Sequence, residues 1–178
     1  MPSDVLAELV AKQEIYDALT RYCRGIDRRD AALVLSAFHP DAVDNHTGPV
    51  EPVAERFPRV LTAPTAVKGT SHNLTNVRIE VDGEVAHSES YLLAHHRIED
   101  ADGEVDWLLG ARYVDRFERR GGRWLIAHRT VVFDFDRFDP VRPRPAGAQA
   151  DYFRDAEHGA QSSTDFSYRY FPSDGSTG

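Results

Sequence analysis

The sequence predicts an α+β domain in which N-terminal helices pack on one face of a curved antiparallel sheet. Two observations carry this. Apolar residues early in the chain recur near a 3.6-residue period, and the later part carries the hairpin signals Asp82-Gly83, Asp102-Gly103 and Gly121-Gly122 between apolar runs. Helices first and a meander afterwards leave a conical space between the layers if the sheet curves strongly.

Leu6, Leu9, Val10, Leu19, Tyr22, Cys23 and Ile26 define one long amphipathic helix, capped by Ser3 or Asp4. The polar run Asp27-Arg28-Arg29-Asp30 ends it, and Asp30 caps a second helix over 31–38, closed by His39-Pro40. Residues 42–45 read as a short strand. Gly48-Pro49 opens a third helical stretch, which Pro52 and Pro58 restrict to short pieces. Val77, Ile79 and Val81 alternate with Arg78, Glu80 and Asp82 in a half-buried strand. A second strand covers 84–98. A third places Trp107, Leu109, Ala111, Tyr113 and Phe117 on one face, and a fourth runs over 124–135, with Trp124 and Ile126 outward.

After Phe138 the pattern fails, and Pro140, Pro143 and Pro145 mark a linker. The chain therefore divides into a domain over 1–138 and an extension over 139–178. Tyr152, Phe153, Phe166, Tyr168, Tyr170 and Phe171 are too many aromatics for a purely solvated tail. Residues 150–171 are expected to fold back as an arm, over the pocket mouth or onto a neighbouring subunit, ahead of a disordered end over 173–178.

The 178 residues include 21 Lys and Arg against 29 Asp and Glu, a formal net charge of −8. So acidic a chain lacks the basic patch that nucleic acid or an anionic membrane surface requires. The single cysteine, Cys23, excludes an intrachain disulfide and a cysteine-rich zinc site. No apolar run approaches the ~18 residues that span a bilayer. The N-terminus, with Asp4 and Glu8, has no signal-peptide core. A soluble, cytoplasmic protein is the expectation. Histidines are frequent, and His46, His72 and His95 could converge with Asp27 on a metal. No metal-ligand spacing supports that, and adjacent His95 and His96 cannot chelate together from a regular strand. Neither a metal nor another cofactor is expected.

Four segments, taken in order, resemble the SnoaL-like branch of the nuclear-transport-factor-2 (NTF2) superfamily. They are Arg21-Tyr22 followed by Gly25-Ile26-Asp27-Arg28-Arg29-Asp30; Phe38-His39-Pro40-Asp41-Ala42; Gly69-Thr70-Ser71-His72-Asn73; and Glu118-Arg119-Arg120-Gly121-Gly122-Arg123-Trp124 leading to His128-Arg129. The resemblance spans roughly 5–138 and is greatest to scytalone dehydratase, hexachlorocyclohexane dehydrochlorinase and bile-acid 7α-dehydratase. It implies a cone-shaped barrel and an aspartate–histidine pair in its pocket, which falls on Asp27 and His72. It also implies an arginine beside the leaving group at Arg129, a pocket tyrosine at Tyr22, and a second histidine best matched by His95. Two tyrosines of scytalone dehydratase stand here as Ile26 and Asn45, and a serine and an asparagine as Ala111 and Tyr113, so its substrate is not implied. Relatives of this kind assemble through the sheet, which implies a homo-oligomer, a trimer ahead of a dimer.

The residue types suit the chemistry. Histidine titrates near neutrality and serves as a base for an acidic C–H. An aspartate on its other nitrogen fixes the tautomer and stabilises the imidazolium. Parity sets a condition: His72 is out of step with Val77, Ile79 and Val81, so it reaches their face only if a bulge or bend intervenes. Arg129 shares parity with Leu125, Val131 and Phe133 and reads as a pocket arginine or as a structural salt bridge. Of His95 and His96 only one can face a pocket; His95, Tyr113, Asn45 and Phe133 are the candidate substrate contacts. The expected activity is that of a cofactor-independent, dehydratase-type lyase acting on a small-to-medium apolar or polycyclic molecule. The same apparatus would serve an isomerase or a polyketide-type cyclase, and such folds also host non-catalytic binding modules.

Overall fold

The structure, a computed structural model, describes residues 2–142 and 147–171. Linker prolines Pro143 and Pro145 and the end over 173–178 lie outside the described residues. Helix α1 (Pro2–Arg28) buries Ala11, Ile15, Ala18, Leu19, Tyr22 and Cys23 along one stripe. Leu6, Leu9 and Val10, expected on that stripe, are exposed. Periodicity defines a face of a helix, not the length over which another layer covers it.

The end of α1 is a tight construction. Asp30 N–H bonds to Gly25 O at 2.8 Å and Arg29 N–H to Ile26 O at 3.1 Å, with Arg29 in left-handed backbone at φ 53°. Gly25 is needed where it stands, since a Cβ there would lie 2.6 Å from Val34 Cγ2 in α2 (Ala31–Leu35). Asp30 caps α2, accepting from Leu33 N–H at 2.9 Å. That helix is shorter than expected because the chain enters β1 (Phe38–Asn45) at Phe38. A short β2 (Glu51–Pro52) leads into α3 (Val53–Thr62), which buries Val53 and Phe57 and carries Pro58 within it.

The meander follows as β3 (Val67–Asp82), β4 (Val85–Asp100), β5 (Gly103–Arg120) and β6 (Arg123–Pro140). The β5–β6 turn uses Gly121 and Gly122 at φ 59° and 79°, a conformation glycine adopts without steric cost. One six-stranded sheet results, in the order β2-β1-β6-β5-β4-β3. Strand β1 runs parallel to β6, where the sequence reads as antiparallel throughout. The sheet is curved but not closed into a barrel; α1 packs on both β3 and β6 and so spans its concave side. This is the NTF2-like α+β arrangement. Among the described residues, no helix is long and apolar enough to cross a membrane.

Bulges decide which residues face inward. Thr75 pairs with Tyr91 and Arg78 with Glu89, so β3 holds one extra residue, with Asn76 at φ 46°. The bulge reverses parity and brings His72 and Leu74 onto the half-buried face of Val77, Ile79 and Val81. In β6, Arg116 pairs with His128 and Phe117 with Ile126, which leaves Ala127 as the extra residue. Trp124 and Ile126 are consequently 4% and 0% exposed, not outward as expected. The apolar residues that do stand exposed on the sheet include Tyr91, Leu93 and Val114.

Past β6, α4 (Ala148–Asp155) and a 3-10 turn (Phe166–Arg169) make up the described part of the extension. Its last segment rests on the end of α1. Arg24 Nη2 donates to Phe171 O at 2.8 Å, and the Tyr168 hydroxyl donates to Asp30 Oδ2 at 2.8 Å.

Candidate active site

His72 and Asp27 meet where β3 passes the last turn of α1. Nδ1 of His72 lies 2.6 Å from Asp27 Oδ1, and its backbone N–H donates to Oδ2 at 3.1 Å. One carboxylate thus holds both the ring and the main chain of the histidine. Thr70 Oγ1 adds a contact to Nδ1 at 3.3 Å. Nε2 has no protein partner among the described residues. The ring lines a cavity of about 340 Å³ beneath α3.

Apolar side chains dominate that cavity, among them Ile26, Leu61, Leu92, Trp107, Leu109 and Phe133. Residues with polar groups are few: Tyr22, Tyr113, Thr47, Arg56, His46, His96 and His72 itself. The His96 ring packs edge-on to His72 at 5.4 Å and against Trp107 at 5.1 Å. Burial pushes the His96 pKa down to about 4, and His72 nearby adds to the shift. Burial likewise lowers His46 to about 3, with Arg56 and Arg129 contributing. Both rings are therefore neutral near pH 7. Burial raises Tyr22 and Tyr113 above the ordinary tyrosine range, so their hydroxyls stay protonated donors. Among the described residues no group of three or more His, Cys, Asp or Glu is arranged to hold a metal ion.

Arg129 is fully enclosed and does not line the cavity. Its Nε and Nη2 donate to the two oxygens of Asp115, each at 2.7 Å. The guanidinium carbon lies 4.0 Å from the Tyr22 ring centroid and 4.1 Å from that of Tyr113. Burial alone would disfavour this charge, but Asp115 outweighs it and holds Arg129 ionised. The expected contact between Arg129 and a leaving group is thus replaced by a salt bridge behind the two tyrosines. Asp44 is also buried, and burial raises its pKa to about 6 against the pull of Arg129 and Arg56.

Of the expected substrate contacts, Tyr113 and Phe133 line the cavity, whereas His95 and Asn45 do not. Strand β4 pairs with β5 without a shift, so its even positions Leu92, Ala94 and His96 share the inward face. His95 points outward, with Nε2 2.6 Å from Asp106 Oδ1, and Arg97 Nε also holds Asp106 at 2.6 Å. In β1 the inward residues are Ala42 and Asp44, which places Asn45 on the other side. The alternation of Leu92 and Ala94 could have selected His96. Arg56 on α3 carried no usable signal, because nothing local shows that α3 roofs the cavity.

No curated protein matches the chain. Solved structures do. Rv3472 of Mycobacterium tuberculosis, of unknown function, is 26% identical, covering 73% of this chain and 75% of its own, with a TM-score of 0.62. A candidate scytalone dehydratase from Novosphingobium aromaticivorans is 23% identical over 80% of this chain and 94% of its own, with a TM-score of 0.65. The hexachlorocyclohexane dehydrochlorinase LinA-type3 from Novosphingobium barchaimii is 21% identical over 82% of this chain and 100% of its own, at 0.65. The last two likenesses establish the fold alone. The profile of the SnoaL-like domain matches residues 7–130, and the chain belongs to the SnoaL-like family.

Proposed function

We propose that this protein is a cofactor-independent lyase of the dehydratase type, with His72 as base and Asp27 as the group that orients it. The observation that carries the reading is the double engagement of His72 by one carboxylate, at Nδ1 and at the backbone N–H, while Nε2 has no partner among the described residues and its ring lines an apolar cavity. The apolar walls fit a small-to-medium, ring-containing substrate with an acidic C–H between a carbonyl and a hydroxyl-bearing carbon. Nε2 takes the proton beside the carbonyl. The C–H electron pair becomes the new C=C bond as the C–O bond to the hydroxyl breaks. The imidazolium, stabilised by Asp27, returns the proton to the departing oxygen, so that water leaves and the neutral base is regenerated. Tyr22 and Tyr113, which line the cavity and keep their protons, would serve as the donors to the carbonyl oxygen as charge builds on it. Arg129, stacked on both rings and tied to Asp115, keeps them in position.

Turnover of a panel of cyclic β-hydroxy ketones, followed by the absorbance of the conjugated product, tests this. Asp27→Asn preserves the shape of the site but not the charge that stabilises the imidazolium. It should lower kcat by about 10²- to 10⁴-fold. Wild-type turnover in that variant would remove Asp27, and with it this mechanism.

A further inference from the structure

Asp27 and His72 also line an open groove that they share with two cations, Arg24 and Arg28. Arg24 stands one helical turn before Asp27, the spacing at which side chains on a helix meet. Arg28 is its neighbour in sequence. An arginine that reached this carboxylate would form the stronger, forked pair and take the charge away from His72. Elsewhere in this molecule arginines do form such two-pronged pairs with aspartates: Arg97 on Asp106, which His95 shares, and Arg129 on Asp115.

At the end of α1 both cations are already engaged, and by one segment. Arg24 donates to Phe171 O at 2.8 Å and lies over the Tyr168 ring at 4.7 Å. Arg28 Nε sits 3.1 Å from Asp165 Oδ2. Asp165 is buried and preorganised for this: it accepts from Ala160 N–H at 2.9 Å, from Ser167 N–H at 3.0 Å and from the Ser167 hydroxyl at 2.5 Å. The Tyr168 hydroxyl fastens the segment to Asp30, just beyond the cap of α1.

We propose that the C-terminal segment over 160–171 is a positioning element of the site, holding Arg24 and Arg28 away from Asp27 so that its carboxylate serves His72 alone. Asp165 and Tyr168 are positioning residues; neither lines the cavity. The proposal rests on the reading of Asp27 and His72 as the reactive pair, but its test needs no substrate.

The readout is the hydrogen-bonded imidazole Nδ1–H resonance of His72, observed by NMR in the full chain and assigned by its loss in His72→Ala. In wild type the resonance is expected far downfield and protected from exchange. The double variant Asp165→Asn/Tyr168→Ala should lose it while retaining the amide spectrum of a folded domain. Adding Arg24→Gln and Arg28→Gln to that background should restore it, because the competing cations are then gone. Persistence of the resonance in the double variant would overturn the proposal. So would its loss without restoration by the glutamines, since the segment would then act only by supporting the fold. Should the double variant fail to fold, Asp165→Asn alone, with and without Arg28→Gln, is read by the same criteria. If His72→Ala keeps full turnover while the resonance behaves as described, the proposed function fails and the positioning role stands.

Discussion

Two histidine–aspartate pairs in this molecule share a separation of 2.6 Å and differ in their surroundings. In the pair of β3 and α1, the side chains of His72 and Asp27 are 8% and 14% exposed, and the ring lines the cavity. In the pair of β4 and β5, His95 and Asp106 are 41% and 32% exposed, on the outer face of the sheet. Asp106 is also held by Arg97, whose bonds, despite some desolvation, keep its carboxyl below the usual range. Asp27 bonds only to His72 among the described residues. The contrast teaches that distance alone does not make a base. A carboxylate must be free to answer the charge on the imidazole, and the second nitrogen must have somewhere to act.

The largest effects should separate the two pairs in catalysis. His72→Ala is expected to lower kcat by roughly 10²- to 10⁴-fold, whereas His95→Ala should leave it within about twofold. Equal losses in the two variants would dissolve the distinction. In stability the contrast lies between buried and exposed ion pairs. Asp115→Asn leaves Arg129 enclosed without its counter-charge and should destabilise the fold by about 3–5 kcal/mol in urea titrations. Arg97→Gln breaks a half-exposed pair and should cost less than about 1 kcal/mol.

Acid should act through the cavity. His46 and His96 have folded pKa values of about 3 and about 4, below the 6.5 of an unperturbed histidine. They bind protons more readily in the unfolded chain, so their contribution is full above pH ~6.5 and lost as the pH falls toward those values. Asp44, raised from 3.8 to about 6, works against them, since in that range the folded state holds the extra proton. Two histidines against one aspartate leave a net excess of about one proton in the unfolded state between pH 4 and 6. These three groups should therefore lower stability there by about 1.4 kcal/mol per pH unit, and the carboxyls of Glu118, Asp106 and Asp165, held below their usual range, steepen the fall toward pH 4. His96→Gln should flatten this slope, and His95→Gln should not.

The layers and their order were legible from periodicity and from the Asp-Gly and Gly-Gly turns. The bulges were not. Parity stated the condition for His72, a bulge or bend between it and Val77, but nothing around Thr75 and Asn76 announces the bulge that meets it. The same kind of bulge at Ala127 turned Trp124 and Ile126 inward. Arg129 was ambiguous because the partner that decides its role, Asp115, lies on the neighbouring strand and is paired with it only by register. His96 and Asn45 illustrate the two ends of legibility: regular alternation would have placed the first, while the second depends on how β1 sits beside β6.

The most direct test of the central claim is proton abstraction itself, separated from whatever follows. The protein is incubated in D₂O with cyclic β-hydroxy ketones, and recovered material is analysed for deuterium at the carbon beside the carbonyl. Wild type and His95→Ala should incorporate deuterium or release the dehydrated product, and His72→Ala should do neither. Exchange in His72→Ala at the wild-type rate would contradict the account, because the proton would then be leaving by another base.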